Sequence, residues 1–252
     1  MRITAMKKLL VFGLLLSGLL AAKEPQTPNT LTAKEKKEGW KLLFDGKTTN
    51  GWRGAYKDKF PEKGWDVADG MLTIQQSDGS ESHSFGDIVT EAEYSDFDLM
   101  FDFKLTEGAN SGVKYFVAEE SPKPKGSAFG LEFQVLDDDK HPDAKLGRDG
   151  DRTVGSLYDL IPASGKRANP IGDWNTGRVV SKGHHVEHWL NGKKVLEYER
   201  GSEKFRELVA MSKYKAPDYN KKGRFGEAPK GHILLQDHGN RVYFRNVKIK
   251  TL

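Results

Sequence analysis

The run FDLMFDFKL, Phe97–Leu105, constrains this chain more than any other stretch. Phe97, Leu99, Phe101, Phe103 and Leu105 recur at period two and so share one side of an extended strand. Asp98, Asp102 and Lys104 take the other side, and only Met100 breaks the pattern. A strand with one dry and one wet face belongs in an antiparallel sheet. The neighbouring punctuation agrees. GWDVADGMLTIQ sets Asp69-Gly70 between two short alternating runs, which predicts a hairpin with a two-residue turn, and HHVEHWLNGKKVLEYE predicts a second at Asn191-Gly192. HILLQDHGNRVYFRNVKIK supplies two closing strands. Its apolar phase shifts between Val242, Phe244 and Val247, Ile249, which predicts a bulge near Asn246. One helix is expected where Ser202 caps EKFRELVAMSKY, with Phe205, Leu208 and Val209 at helical spacing, packed across an open end or edge of the sheets. Roughly a dozen short strands with Gly-rich turns and one short helix predict an all-β fold, a two-sheet antiparallel jelly-roll sandwich.

The first residues stand apart from that domain. Arg2, Lys7 and Lys8 precede the apolar run Leu9–Ala22, the layout of a signal peptide and too short to span a bilayer comfortably. Residues 1–22 are therefore expected to direct export to the periplasm or beyond, and residues 23–38, polar and then charged in AKEKKE, to form a linker. The domain proper is expected over 39–252. The chain has no cysteine, which excludes disulfides, a lipid-anchored cysteine and a thiol nucleophile, so a large β core must carry its stability. Without the three leader cations the formal charge of +4 becomes +1. The lysines form no aromatic-interleaved stripe, so nucleic acid is not an expected partner, and no later run is apolar enough to enter a membrane.

Several polar constellations could carry chemistry. In GLEFQVLDDD, Leu131, Phe133 and Val135 face one way and Glu132 and Gln134 the other, with Cα atoms of the latter pair about 7 Å apart. A bulge at Leu136 would bring Asp137 to the Glu132 face; the alternative is an ordinary solvated sheet face. EGANSGVKYFV places Gly108 and Gly112 at a tight entry to a strand, Asn110 and Ser111 at its mouth, and Lys114 with Phe116 on one face. LQDHG ends a strand in Gln236, Asp237 and His238, either a tuned imidazole or a hydrogen-bonded turn. His185 and Glu187 share a strand face, without the spacing of a structural zinc site. The acidic loop DDDKHPDAKLGRDGD has oxygens for calcium but not the ordered ligand spacing, which leaves a divalent cation possible. Trp52, Trp65, Tyr158 and Trp174 could stack on a sugar ring or serve as core. No nucleophile elbow, phosphate loop or dinucleotide fingerprint is present.

In order along the chain, GWKLLFDGKTTNGW, GWDVADGMLTI, NSGVKYFV, LEFQVLDDDKHPDA, GSLYDLIP, GDWNTGRVV, HVEHWLNGKKVLEYE and GHILLQDHGNRVYFRNVKIK occur. Together these closely resemble the exported 3-keto-glucoside 1,2-lyase and 3-keto-2-hydroxyglucal hydratase (3-keto-disaccharide hydrolase) domain family, from Gly39 to the end. The resemblance implies a concanavalin A-like jelly roll and a cleft holding Glu132, Gln134 and Asp137 near Asn110, Ser111 and the Gln236–His238 turn. It also implies a glucoside or oligosaccharide substrate in its 3-keto form. The Glu-x-Gln-x-x-Asp run is similar in form to the Glu-x-Asp-x-x-Glu strand of laminarinase-type glycosidases, but an amide replaces the middle acid and the last acid is shorter.

A ketone at carbon 3 acidifies the proton on carbon 2, so a glycoside can be cleaved by elimination with one base, donors at the enolate oxygen and an acid at the leaving group. On that reading Glu132 is the base, Gln134, Asn110 or a divalent cation meets the enolate, and His238 or Asp137 assists departure. Lys114, Tyr158, Trp174, His185, Gln236 and Ser111 are expected to bind substrate. Two other readings stay open: a retaining glycosidase, which needs Glu132 and Asp137 about 5–5.5 Å apart, and a carbohydrate-binding module without catalysis.

Overall fold

The computed structural model describes residues 27–77, 85–119, 127–217, 219 and 224–252. The expected leader, residues 1–22, and the start of the expected linker lie outside the described residues. In chain order the strands are β1 (Lys41–Leu42), β2 (Trp52–Gly54), β3 (Trp65–Ala68), β4 (Met71–Ile74), β5 (Ile88–Thr90) and β6 (Phe97–Leu105). They continue with β7 (Asn110–Val117), β8 (Leu131–Leu136), β9 (Trp174–Lys182) and β10 (His185–Leu190), then β11 (Lys193–Glu199), β12 (His232–Leu235) and β13 (Val242–Thr251). The larger sheet runs β11-β10-β9-β6-β13-β4-β3, with β1 also on β13; the smaller runs β2-β5-β12-β7-β8. All pairings are antiparallel, and the two sheets form the jelly-roll sandwich expected from the strand pattern.

The alternation in β6 builds the core. Phe97, Leu99, Phe101 and Phe103 are completely buried, and Phe101 meets Phe133 of β8 edge to face, with ring centroids 5.3 Å apart. Both hairpins turn where expected, with positive φ at Asp69, Gly70, Asn191 and Gly192. The bulge at Asn246 (φ 53°) has an architectural use: before it β13 pairs with β4, after it with β1, so one strand serves two partners on the same side. Among the described residues no helix is long and apolar enough to cross a membrane.

Two expectations need correction. Residues 27–38 are not a loose tether. Thr32 and Glu35 form a capping box on α1 (Ala33–Lys37), Glu35 pairs with Lys248, and Asn29 and Asn246 exchange side-chain-to-backbone hydrogen bonds, which fastens this segment to β13. The face assignment of β7 also changes at its end. Phe116 has φ 54° and enters the main core, while Val117 joins Val89, Leu234 and Ala128 on the outer face of the smaller sheet. The register with β12 shifts at that point, so the strict alternation read from the sequence fails by one residue.

The helix α2 (Glu203–Met211) forms with Ser202 as its cap and buries Phe205 and Val209; Phe205 stacks on Tyr198 of β11. A single 3-10 turn, Lys213–Lys215, follows and returns the chain toward β8.

Candidate active site on the smaller sheet

Glu132 and Gln134 of β8 stand opposite Lys114 and Gly112 of β7, on the face turned away from the core. They do not face bulk water. Glu132 is 4% exposed, Gln134 1% and Lys114 6%. A covering layer of loops surrounds them. Residues 155–158 pair with the otherwise free edge of β8, where Gln134 N–H donates to the Ser156 carbonyl, Gly155 N–H to the Gln134 carbonyl, and Tyr158 N–H to the Glu132 carbonyl, and Tyr158 and Tyr214 come close enough to feel the Glu132 charge. Polar side chains sealed in this way must be partnered, and their partners define the site.

Glu132 Oε2 lies 3.8 Å from the Lys114 ammonium. Lys114 also donates to Ser127 Oγ at 2.5 Å and to the Ala128 carbonyl at 3.3 Å, and Ser127 donates to Asp87. Hydrogen-bond logic orients the Gln134 amide with its nitrogen donating to Glu132 Oε1 (3.2 Å) and the Ser111 carbonyl (3.3 Å); with the Asn110 amide turned likewise, the Gln134 oxygen accepts from it at 3.2 Å. Gly112 makes room for this arrangement, because a Cβ there would sit 2.1 Å from Glu132 Oε1. Its role is thus space within the strand; Gly108, with φ 66°, is the residue that makes the tight entry. One strand over, Gln236 N–H donates to the Gly112 carbonyl, and the buried Gln236 Oε1 finds no partner among the described residues. An unpaired buried amide oxygen beside the carboxylate is where a ligand hydroxyl would be taken.

The rim comes from the covering layer. Tyr158 Oη donates to Asp143 at 2.8 Å, and Arg152 bridges Asp143 (2.8 Å) and Asp159 (2.7 Å). Burial, with the Asp143 and Glu132 charges added, drives the Tyr158 phenol far above its ordinary pKa. Asp159 accepts the Lys213 N–H at 2.7 Å, which sets the Lys213 ammonium 4.2 Å from the centre of the Tyr158 ring. Lys213 is exposed to solvent, yet enough protein surrounds its ammonium for desolvation to lower its pKa. Glu132 opposes that shift and Lys114 reinforces it, so both charges reach Lys213. Nothing local in AMSKYKAPD announced this residue; only the return of the chain after α2 brings it here.

The structure separates other expected site residues. No register shift interrupts β7 against β8, so Leu136 keeps the Glu132 face and Asp137 falls on the other. Asp137 accepts backbone N–H groups from Gly108 (2.8 Å), Asp139 (3.1 Å) and Lys140 (3.2 Å), so its carboxylate holds two loops together. Ser111 alternates away from the cleft and donates to the Gln236 carbonyl at 2.7 Å, which positions the end of β12. His238 is half-buried past that end, near Asn240, whose side chain accepts the Asn110 N–H. Asp237 beside it accepts Gly86 and Gly239 N–H groups; burial raises its pKa. Trp174 and His185 are not in this cleft at all. Both lie on the outer face of the larger sheet, Trp174 under Arg245 (4.0 Å) and His185 among Glu187, Glu197 and Glu199. Trp52 and Trp65 are core, their indoles donating to the Leu43 and Gly86 carbonyls.

The donor set also bears on a divalent cation. Beside Glu132 the positive charge is supplied by Lys114 and Lys213, so the residues do not fit a cation there. In the acidic loop Asp137, Asp138, Asp143 and Asp151 are already taken by N–H groups, Lys166 and Arg152. His185, Glu187 and Glu197 could gather round a metal ion, but Lys194 lies 3.1 Å from Glu187 and 2.6 Å from Glu197.

Comparison with known proteins places this geometry in context. The 3-keto-alpha-glucoside-1,2-lyase-like domain matches residues 39–250. A 3-keto-disaccharide hydrolase of Bacteroides thetaiotaomicron is 38% identical over 232 residues, covering 85% of this chain and 79% of that protein. A crystal structure of a candidate glycosyl hydrolase from Parabacteroides distasonis is 35% identical with a TM-score of 0.76, covering 90% of this chain and all of that one. A second from the same organism is 27% identical with a TM-score of 0.61 over 84% of this chain and 99% of its own. With almost the whole described domain matched, this chain belongs to the 3-keto-alpha-glucoside-1,2-lyase-like domain family.

Proposed function

We propose that the protein is a carbohydrate-cleaving enzyme that acts on 3-keto-glucosides by elimination and then hydration, giving net hydrolysis. The observation that carries this reading is the sealed Glu132 carboxylate, held over Gly112 between Lys114 and the Gln134 amide. Glu132 removes the proton on carbon 2. The electron pair moves onto the carbonyl oxygen at carbon 3, where Lys114 offers a positive charge and Asn110 an amide donor in a dry environment, while the Gln134 amide holds the Glu132 carboxylate. The enolate then collapses, carbon 1 and carbon 2 become doubly bonded, and the glycosidic oxygen departs. Water added across that double bond gives the 3-keto sugar. Gln236 Oε1 accepts a substrate hydroxyl and fixes the ring.

A retaining glycosidase needs a second free carboxylate on the same face. Asp137, the sequence's candidate, is committed to three backbone N–H groups, which favours elimination. The relative from Bacteroides thetaiotaomicron is named a 3-keto-disaccharide hydrolase, which supports a 3-keto substrate and a net hydrolysis. We further propose that residues 1–22 export the protein; a processed N-terminus at the small residues near Ala22 in the extracytoplasmic fraction would support this, and an unprocessed cytoplasmic chain would refute it.

The direct test incubates the protein with a chromogenic 3-keto-glucoside and its unoxidised parent, with and without chelator. Release from the keto sugar alone, unaffected by chelator and lost in Glu132→Gln, is the expected result. Release from the unoxidised parent would support the glycosidase instead, and saturable binding without release from either would support a binding module.

A further inference from the structure

The elimination leaves one requirement unmet by Glu132, Lys114 and Gln134: the departing oxygen needs a proton. We propose that Lys213 is the general acid that delivers it. This rests on the reading of Glu132 as the base.

Elimination among the neighbours leads to this residue. Asp137 is bound by three N–H groups on the opposite face. The Tyr158 hydroxyl already donates to Asp143 and has too high a pKa to give up its proton. Lys114 is buried and its ammonium is engaged by Ser127, the Ala128 carbonyl and Glu132. Lys213 differs from all of these. It is exposed, with its ammonium 4.2 Å from the centre of the Tyr158 ring, and among the described residues no hydrogen bond or ion pair occupies that ammonium. Its backbone is nonetheless fixed, by Asp159 at its own N–H and by Ser212, whose side chain accepts the Tyr214 N–H at 3.1 Å. A held backbone with an uncommitted donor is what a proton-delivering group requires.

The environment suits that task. Glu132 of β8, Lys114 of β7, Asp159 and Arg152 of the covering loop, and the Tyr158 and Tyr214 rings face the ammonium. Desolvation is the leading influence and lowers the pKa; Lys114 and Arg152 add to the lowering, while Glu132 and Asp159 oppose it. A cation with a lowered pKa is a better acid, and its own positive charge favours the developing negative oxygen. In the balanced step, Glu132 takes the carbon-2 proton and the enolate re-forms the carbonyl. The carbon 1–oxygen bond breaks with its electron pair on oxygen, and that oxygen takes a proton from Lys213. Water later supplies hydroxide to carbon 1 and a proton to carbon 2, and both side chains regain their starting states through solvent.

The test compares two 3-keto-glucosides that differ only in leaving group, a 4-nitrophenol and a simple alkyl alcohol. A nitrophenolate leaves without help and an alkoxide does not. Lys213→Gln should therefore lower kcat/KM for the alkyl substrate by about 10²–10³-fold while changing the nitrophenyl substrate only a few-fold. Lys213→Arg, which keeps the charge but is too weak an acid, should show the same split. The alkaline fall of the wild-type pH–rate profile on the alkyl substrate should vanish in both variants. Equal losses on the two substrates would overturn the assignment and leave Lys213 an electrostatic or structural residue. Full alkyl activity in Lys213→Arg would likewise exclude proton transfer. If the wild-type protein cleaves neither substrate, the reading of Glu132 fails, and this assignment with it.

Discussion

Glu132 and Lys114 lie directly across the β7–β8 pair from each other, with their charged ends 3.8 Å apart and both side chains more than nine-tenths buried. A buried pair of this kind contributes little net stability, because desolvating two charges offsets their attraction, but removing one partner strands the other. The pair therefore reads as an arrangement kept for what Glu132 does. Lys114→Met is expected to lower the unfolding free energy by about 3–5 kcal/mol. Chemical denaturation would show this, and kcat/KM on a 3-keto-glucoside should fall at least as far as the loss of enolate stabilisation demands.

Gly112→Ala tests the packing beneath the carboxylate. The new Cβ would lie 2.1 Å from Glu132 Oε1, so the carboxylate must move while the strand pairing can persist. A displacement of about 1 Å at a reacting group costs roughly 10²-fold in rate, whereas an added methyl in a packed site costs about 1–3 kcal/mol. We expect a folded protein with kcat/KM reduced about 10²-fold or more, measured beside a thermal melt.

Asp137→Ala should separate stability from catalysis. Its carboxylate serves the N–H groups of Gly108, Asp139 and Lys140, so its loss should cost about 2–3 kcal/mol. The folded fraction should keep kcat within a few-fold of wild type and an unchanged pH–rate profile. A loss comparable to that of Glu132→Gln would return Asp137 to the chemistry.

His188 makes an acid-sensitive joint behind the site. Its Nδ1 lies 3.0 Å from the Gly155 carbonyl and so carries the proton, leaving Nε2 to accept from Tyr115 Oη at 2.7 Å; Tyr198 Oη adjoins at 2.8 Å. Burial lowers its pKa from 6.5 to about 4, against the Gly155 hydrogen bond, which raises it. Between those values the unfolded chain binds more protons than the folded one, so stability rises with pH across that window and is lost as pH falls. Taking the protein from pH 7 to pH 4 should cost on the order of 3 kcal/mol through this residue. His188→Gln can keep both hydrogen bonds without a titrating group, and its unfolding free energy should fall less over the same range.

Much of this was legible in the chain. Asp69-Gly70 and Asn191-Gly192 need positive φ and turned where they stood, Ser202 capped its helix, and the phase shift at Asn246 marked a real bulge. Alternation also put Glu132 and Gln134 on one face. Alternation does not say which sheet a strand joins, and for that reason Trp174 and His185 were expected in a cleft from which a whole sandwich divides them. Nor does it register a non-glycine residue at positive φ, as at Phe116. Lys213 and the docking of α1 by Glu35 and Lys248 depend on contacts between segments distant in sequence, and local pattern carries no trace of them.

The most direct measurement of the central claim uses a 3-keto-glucoside deuterated at carbon 2. If Glu132 removes that proton, cleavage slows by a primary isotope effect, or deuterium washes out of unreacted substrate when removal is reversible; Glu132→Gln abolishes both behaviours. Cleavage at an unchanged rate, with the label fully retained in the recovered substrate and in the sugar product, would contradict elimination and the role given to Glu132.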